Sequence, residues 1–181
     1  MKPKSNPAVE LSRPLAVDKI SAGGIEENLR ADEKERTRLA KRFGLLALKD
    51  LQANLSVTPA RGHMFAVKGR MEADVVQQCV VTLEPLHAHI HQDIDVLFAP
   101  PEMLEAGPGA PHADMDEEET EAIVDGIIDL GELIAQHLGI ALDPYPRKPG
   151  LAYVEAEYGS GEKVNPFAKL RGLTKIGKDK I

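Results

Sequence analysis

Residues 86–98, LHAHIHQDIDVLF, alternate apolar and polar side chains over most of their length. Successive side chains of a strand point to opposite faces of its sheet, so this period predicts a strand with one buried face and one polar face. The polar face would carry three histidines and two aspartates: His87, His89, His91, Asp93 and Asp95. The stretch therefore indicates a half-buried strand whose sheet has one side in water.

The chain before this strand predicts two more strands and one helix. Residues 48–57 and 63–76 are rich in alternating and β-branched residues, and the turn sequence TPARG separates them. Further upstream, Asp32 and Glu35 have the spacing of a capping box, in which each residue caps the helix end for the other. This spacing predicts a helix near residues 32–43, and Gly44 is placed to end it.

The chain after this strand predicts a loop, a short strand and a second helix. Residues 99–121 have the composition of a loop, and IVDGIIDL, residues 123–130, is an apolar strand candidate. Asp129 and Glu132 again have capping-box spacing, and the apolar residues that follow recur at helical intervals, which predicts a helix near residues 130–139. Together these elements predict an α+β fold. Its mainly antiparallel sheet, open or curled into a barrel-like form, is joined by two principal helices and extended termini.

Composition divides the chain into three parts. Residues 1–20, interrupted by Pro3, Pro7 and Pro14, are predicted to be an extended segment. Residues 21–152 are predicted to form one α+β domain with an acidic loop at 100–121. Residues 153–181 are predicted to be a linker followed by a basic docking segment.

The charge distribution limits the classes of partner. The net charge of −7 argues against a broad nucleic-acid-binding surface, because neutralising phosphates requires clustered lysine and arginine. Eight acids and no lysine or arginine lie between Glu102 and Glu121, whereas the end of the chain from Lys163 is basic. A single cysteine and the lack of any long apolar run predict a cytoplasmic protein with no membrane partner.

The histidine strand raises the question of a metal site. Alternate residues of a strand lie about 6.6–6.8 Å apart, so three such histidines cannot all reach one zinc ion, whose bonds are about 2 Å long. Two of them could, with a third ligand from Cys79, His63, His137 or a carboxylate elsewhere. Nothing in the spacing requires such a ligand, and the sequence favours a solvated polar face that binds no metal.

The sequence also lacks the signatures of an enzyme. There is no glycine-rich phosphate loop, no nucleophile elbow and no zinc-protease motif. Cys79 has no activating cation near it in the sequence, as a nucleophilic thiol would need. We therefore expect a protein without catalytic residues, cofactor or small-molecule substrate.

Three segments resemble the YceD family, the large ribosomal RNA subunit accumulation proteins, and in particular its proteobacterial branch. CVVTLEPLHAHIHQDIDVLF, beginning at Cys79 and including Leu83 and Pro85, is similar to the family's Cys-x-x-Cys-Leu-x-Pro turn and following strand. IIDLGELIAQHLGIALDPYPRKPG is similar to its Asp-Leu-Gly/Ala-Glu-Leu helix, with the motif residues Asp129, Leu130, Glu132 and Leu133. The third segment, NPFAKLRGL, resembles the C-terminus of that branch. The resemblance spans about residues 35–175.

One departure from the family pattern bears on metal binding. Many relatives have a second cysteine in the turn and more cysteines after the helix, whereas this chain has Thr82 in the turn and DPYPRKPG after the helix. The resemblance therefore implies that any metal site of the family is lost here.

The resemblance implies a role in accumulation or processing of 23S rRNA and in large-subunit assembly. The partners it suggests are 23S rRNA or a large-subunit precursor, together with a ribosomal protein or assembly factor. The basic residues predicted to contact RNA phosphate are Arg147, Lys148, Lys169, Arg171, Lys175 and Lys178. Two alternatives remain at this point. One is an adaptor that binds a basic protein through its acidic loop without touching RNA, and the other is a metal-dependent enzyme built on the histidine strand.

Overall fold

A computed structural model describes residues 9–104 and 119–150 of the chain. Its centre is a five-stranded sheet in the order β2-β3-β4-β5-β6, and β1 pairs with β7 in a separate two-stranded sheet. The strands are β1 (Pro14–Ala16), β2 (Ile25–Arg30), β3 (Ala47–Pro59), β4 (Phe65–Gln78), β5 (Pro85–Ala99), β6 (Glu119–Ala122) and β7 (Ile127–Asp129). The helices are α1 (Glu33–Arg42), the short α2 (Pro101–Leu104) and α3 (Leu130–Ala141). The fold is α+β, as the sequence predicts.

The large sheet is antiparallel except at one edge, where β6 runs parallel to β5. The predicted strands at 48–57, 63–76 and 86–98 are the middle three strands β3, β4 and β5. The described strands do not close into a barrel, because β2 and β6 form the two ends of the sheet order. The barrel-like alternative is therefore not the form that the sheet takes.

The inner face of the sheet and the two long helices form one apolar core. Side chains that alternate along β3 and β4, such as Leu51, Leu55 and Met71, are at most 1% exposed. The same core contains Leu39 of α1 and Leu133 of α3. The opposite face of β4 and β5 carries the charged and histidine side chains, so the period-2 pattern correctly predicted which residues are polar.

Gly69 in the middle of β4 allows the sheet backbones to approach closely. A Cβ atom built on Gly69 would lie 2.0 Å from the carbonyl oxygen of Asn54 on β3. No side chain can occupy that space, so the strand requires glycine here.

Helix α1 begins with the predicted capping box. The Asp32 carboxylate accepts a hydrogen bond from the Glu35 amide, and the Glu35 carboxylate accepts one from the Asp32 amide, each at 2.8 Å. The helix ends at Arg42, and Gly44 follows with a φ of +65°, a conformation in which glycine carries no steric penalty.

Helix α3 begins at Leu130 with Asp129 as its cap, but its capping differs from the prediction. Asp129 accepts hydrogen bonds from the amides of Gly131 and Glu132, whereas the Glu132 side chain binds Arg42 of α1 instead of the Asp129 amide. The competing arginine on a neighbouring helix, which the local sequence could not reveal, explains the difference.

Residues 119–130 contain two short strands separated by a tight turn, where the sequence predicted the end of a loop and one strand. Asp125 and Gly126 both have positive φ, and an isolated bridge joins Val124 to Ile127 across them. Asp-Gly is a favoured pair for such a tight turn. The turn limits β7 to Ile127–Asp129. The stretch 99–121, which we predicted to be a loop, instead contains α2 and most of β6 at its two ends.

The segment before β2 packs against the start of α3. The amide of Arg13 and the hydroxyl of Ser12 donate hydrogen bonds to the Asp129 carboxylate, at 2.7 and 2.6 Å. A Cβ atom at Gly131 would lie 2.8 Å from the backbone of Arg13 and Ser12. Part of the N-terminal segment is therefore fixed to α3 and contributes β1. None of the described helices is long and apolar enough to span a membrane.

Candidate functional site

The tight turn between β4 and β5, residues 79–84, brings together the cysteine-turn motif residues. The Cys79 amide donates to the Glu84 carbonyl at 2.9 Å, and the Leu83 amide donates to the Cys79 carbonyl at 3.0 Å. Leu83 has a φ of +62°, the left-handed conformation that closes the turn, and Pro85 begins β5. The motif thus specifies the turn that connects the two longest strands.

Cys79 is buried within this turn. Hydrogen bonds from Thr82, first from its side chain and then from its amide, lower the pKa of the Cys79 thiol to about 7. The Thr82 amide lies 3.5 Å from Sγ. The main partner of the thiol is therefore Thr82, the residue at the family's second cysteine position, and the backbone of Val81 and of Lys148 adds weaker hydrogen bonds. None of these groups is a general base.

Residues 143–150, DPYPRKPG, form a proline-rich segment after α3 that contacts the cysteine turn. The Val80 amide donates to the Pro146 carbonyl at 2.9 Å, and Nζ of Lys148 lies 2.9 Å from Oε2 of Glu84. Lys148 lowers the pKa of Glu84, and Glu84 raises the pKa of Lys148. The turn and this segment, which are about 60 residues apart in the sequence, therefore form one surface.

The predicted RNA-contact residues fall into three groups. Arg147 is exposed beside the cysteine turn. Lys148 lies next to it, but its charge is already paired with Glu84. The other four lie outside the described residues, and their contact with RNA remains a prediction from the sequence: Lys169, Arg171, Lys175 and Lys178.

The motif residues of the second helix have structural roles. Asp129 caps α3 and holds the N-terminal segment, while Leu130 and Leu133 are 2% and 1% exposed in the core. The Glu132 carboxylate lies 2.9 Å from Arg42, which also contacts Glu10 at 3.2 Å. This ion-pair network joins α3, α1 and the N-terminal segment, and its side chains serve the packing of the domain.

A row of basic side chains on α1 was missed in the sequence. Lys34, Arg38 and Lys41 are exposed and recur at intervals of four and three residues, which places them on one helical face. The Arg38 guanidinium donates two hydrogen bonds to the backbone carbonyl of Glu10, at 3.2 and 2.9 Å, and forms no ion pair with a described carboxylate, although its charge helps to lower the pKa of Asp32. We call these three residues the α1 basic row. The sequence could have revealed this row, because it predicted the helix near residues 32–43 and helical spacing places these three residues on one face.

On the polar face of β4 and β5, each of four cross-strand pairs places a carboxylate opposite a lysine, an arginine or a histidine. Lys68 faces Asp95, Arg70 faces Asp93, Glu72 faces His91 and Asp74 faces His89. The first two pairs are ion pairs of 2.8 and 2.9 Å. This face therefore balances its own charges and presents no continuous basic stripe.

Comparison with known families identifies most of this region. The family model described as "Large ribosomal RNA subunit accumulation protein YceD" matches residues 67–174, more than half of the chain. The matched range contains most of β4, the cysteine turn, β5, α3 and the proline-rich segment, and it ends at residue 174, within the predicted linker and docking segment. No curated protein and no solved structure gave a significant match.

Proposed function

The chain belongs to the YceD family of large ribosomal RNA subunit accumulation proteins, and on this basis we propose that it promotes accumulation of 23S rRNA during large-subunit assembly. It acts as a binding factor that catalyses no reaction, and it works in the cytoplasm. The family match is the observation that carries this proposal. The burial of Cys79 supports the non-catalytic part, because a nucleophilic thiol must be accessible to its substrate.

RNA contact occurs through phosphates at the α1 basic row, at Arg147 and at the basic C-terminal residues. Phosphate contacts position a protein on RNA without reading its sequence. The charge pattern of the domain supports this assignment. Several of the other described cations are paired with carboxylates, among them Arg13, Arg30, Arg42, Lys68 and Arg70. Paired cations contribute less to counterion release than exposed, unpaired ones.

A ribosomal protein or assembly factor docks at the cysteine turn. Val80, Val81 and Leu83 are 47%, 58% and 65% exposed, and Tyr145 beside Pro146 is 70% exposed. Exposed apolar side chains grouped in this way are typical of protein-binding surfaces. Such a partner would supply the selectivity that phosphate contacts lack.

The α1 basic row provides the direct test of RNA contact. The triple variant Lys34→Gln, Arg38→Gln, Lys41→Gln and the full-length chain are titrated against a large-subunit rRNA fragment at several salt concentrations. Each lost phosphate contact lowers the slope of log affinity against log salt by about 0.7–0.9. We expect weaker binding and a smaller slope in the variant.

A second triple variant controls for the change in net charge. The variant Lys19→Gln, Lys49→Gln, Arg61→Gln removes three positive charges from exposed positions outside the row, and it is expected to keep most of the affinity. Equal loss in both variants would show that only net charge matters. Undiminished binding by the first variant would remove the row from the interface.

The adaptor alternative differs from the proposal in whether residues 163–181 bind RNA. If the acidic loop alone binds a basic protein, a chain lacking residues 163–181 keeps its partner and the full chain binds no rRNA. If the proposal holds, the shortened chain loses RNA affinity. Binding assays with rRNA and with purified large-subunit proteins separate these outcomes.

A further inference from the structure

Two histidines of β5 and one carboxylate of β4 converge on the polar face of the sheet. One ring nitrogen each of His89 and His91 and one carboxylate oxygen of Glu72 all lie within 4.8 Å of one another. The strand register produces this group, because Glu72 is directly opposite His91. The two imidazole rings are in edge contact, with centroids 4.3 Å apart.

Neighbouring side chains orient two of these groups. Nδ1 of His89 is hydrogen-bonded to the Asp74 carboxylate at 2.5 Å, which leaves Nε2 of His89 available as a ligand atom. Gln52 of β3 donates to Oε2 of Glu72 at 3.0 Å, while Oε1 of the same carboxylate faces Nδ1 of His91 at 3.7 Å. Hydrogen bonds from outer residues that fix the orientation of histidine and carboxylate ligands are a regular feature of metal sites.

The distances fit an ion with short bonds. Two ligands of a tetrahedral zinc ion lie roughly 3.3 Å apart when the bonds are about 2.0–2.1 Å long. The separation of 3.7 Å between His91 and Glu72 is close to this value. The other separations among the three ligand atoms are at most 4.8 Å. Small side-chain rotations would shorten them, since the side chains of His89 and His91 are 49% and 60% exposed.

The local charges distinguish this group from the third histidine. Asp74 and Glu72 place two carboxylates beside His89 and His91, and the nearby Arg70 is paired with Asp93. His87 instead has Nζ of Lys49 at 3.4 Å from its Nδ1. A cation would be attracted to the first pair of imidazoles and repelled from the third.

We propose that Glu72, His89 and His91 bind a divalent transition-metal ion, with zinc as the ion whose ligand preferences they match, and with water in the remaining position. Imidazole nitrogen and carboxylate oxygen are regular zinc ligands, and three protein ligands with water form an open site. The site is separate from the cysteine positions of the family pattern. It also goes beyond the ribosomal role, since it would join β4 to β5 whatever the protein binds.

Titration calorimetry of the full-length chain with zinc chloride tests the proposal. We expect one equivalent of zinc per chain and a rise in melting temperature on zinc addition, because a ligand that binds only the folded state stabilises it. His91→Asn and Glu72→Gln are each expected to weaken zinc binding at least about tenfold. Both side chains lie on the exposed face, so the melting temperature without zinc should change little.

Two matched controls locate the ion. His87→Asn removes a histidine from the same face of the same strand, and Cys79→Ser removes the one thiol of the chain; both are expected to bind zinc as the original chain does. The proposal is overturned if the original chain binds no zinc. It is also overturned if binding survives in His91→Asn and Glu72→Gln, or if it is lost in Cys79→Ser.

Discussion

Lys148 is ion-paired with Glu84, Nζ to Oε2 at 2.9 Å, and this pair joins the segment after α3 to the turn before β5. Arg147, its neighbour in sequence, is exposed and forms no ion pair with a described carboxylate. Two adjacent cations that look equivalent in the sequence therefore differ in the charge that they can offer to a phosphate group.

This difference gives a comparison between two single substitutions. Arg147→Ala is expected to weaken binding to large-subunit rRNA and to lower the salt slope by about 0.7–0.9. Lys148→Ala is expected to change the affinity and the salt slope less, because Glu84 partly neutralises the charge of Lys148. Salt-dependent fluorescence anisotropy with the same RNA fragment measures both quantities. A larger effect of Lys148→Ala would contradict this assignment.

Glu35 is expected to make the stability of the domain sensitive to acid. Bidentate hydrogen bonds from Arg13, at 2.7 and 2.9 Å, are the main cause of the lowered pKa of Glu35, and the Asp32 amide adds to them. A carboxylate whose folded-state pKa is lowered stabilises the fold above its ordinary pKa of 4.5, and this stabilisation is lost as the pH falls through the folded-state value.

Glu35→Gln tests this dependence. The variant is expected to lose about 2 kcal/mol of unfolding free energy at pH 7, in line with hydrogen bonds to charged groups. The gap between variant and original should narrow as the pH is lowered below 4.5. Urea unfolding at pH 7, 5 and 3.5 measures it, and a gap that stays constant with pH would show that charge is not the cause.

Gly69→Ala is expected to destabilise the sheet by about 3 kcal/mol, because the added methyl group would overlap the Asn54 carbonyl. Gly23→Ala is the matched control, since a Cβ at that position has its nearest neighbour 3.9 Å away. Thermal unfolding of the two variants compares them directly. Equal melting temperatures would mean that β3 and β4 do not approach as closely at Gly69 as described.

Cys79 is expected to react slowly with thiol reagents in the folded protein. Its pKa of about 7 favours the reactive thiolate, but its side chain has no exposed surface. Reaction therefore requires opening of the cysteine turn, and the native thiol should react at least about ten times more slowly than the unfolded one. Absorbance with a disulfide reagent, with and without denaturant, gives both rates. Similar rates would show that the turn is open in solution.

The sequence predicted the parts of the fold that depend on local pattern. The alternation of residues 86–98 identified β5 and its polar face, and Asp32 with Glu35 identified the start of α1. Both signals lie within a few residues, where hydrophobic period and capping chemistry act directly. Strand β2 was missed, since its sequence IEENLR has no strong apolar alternation. This segment is a strand because it pairs with β3, a contact that its own sequence does not indicate.

The parts that depend on register and packing could not be predicted. Glu72 meets His91 only because β4 and β5 pair in one particular register, which no local pattern specifies. In the same way, Glu132 has capping-box spacing but binds Arg42, a residue of another helix. Such contacts lie between distant segments, and only the folded chain places them.

The ratio of 23S to 16S rRNA in cells lacking this protein tests the ribosomal role most directly. The strain is complemented with the full chain, with a chain ending at Glu162, and with the α1 basic row variant. We expect a selective loss of 23S rRNA that the full chain restores and that neither altered chain fully restores. An unchanged ratio in cells lacking the protein would contradict the proposed function.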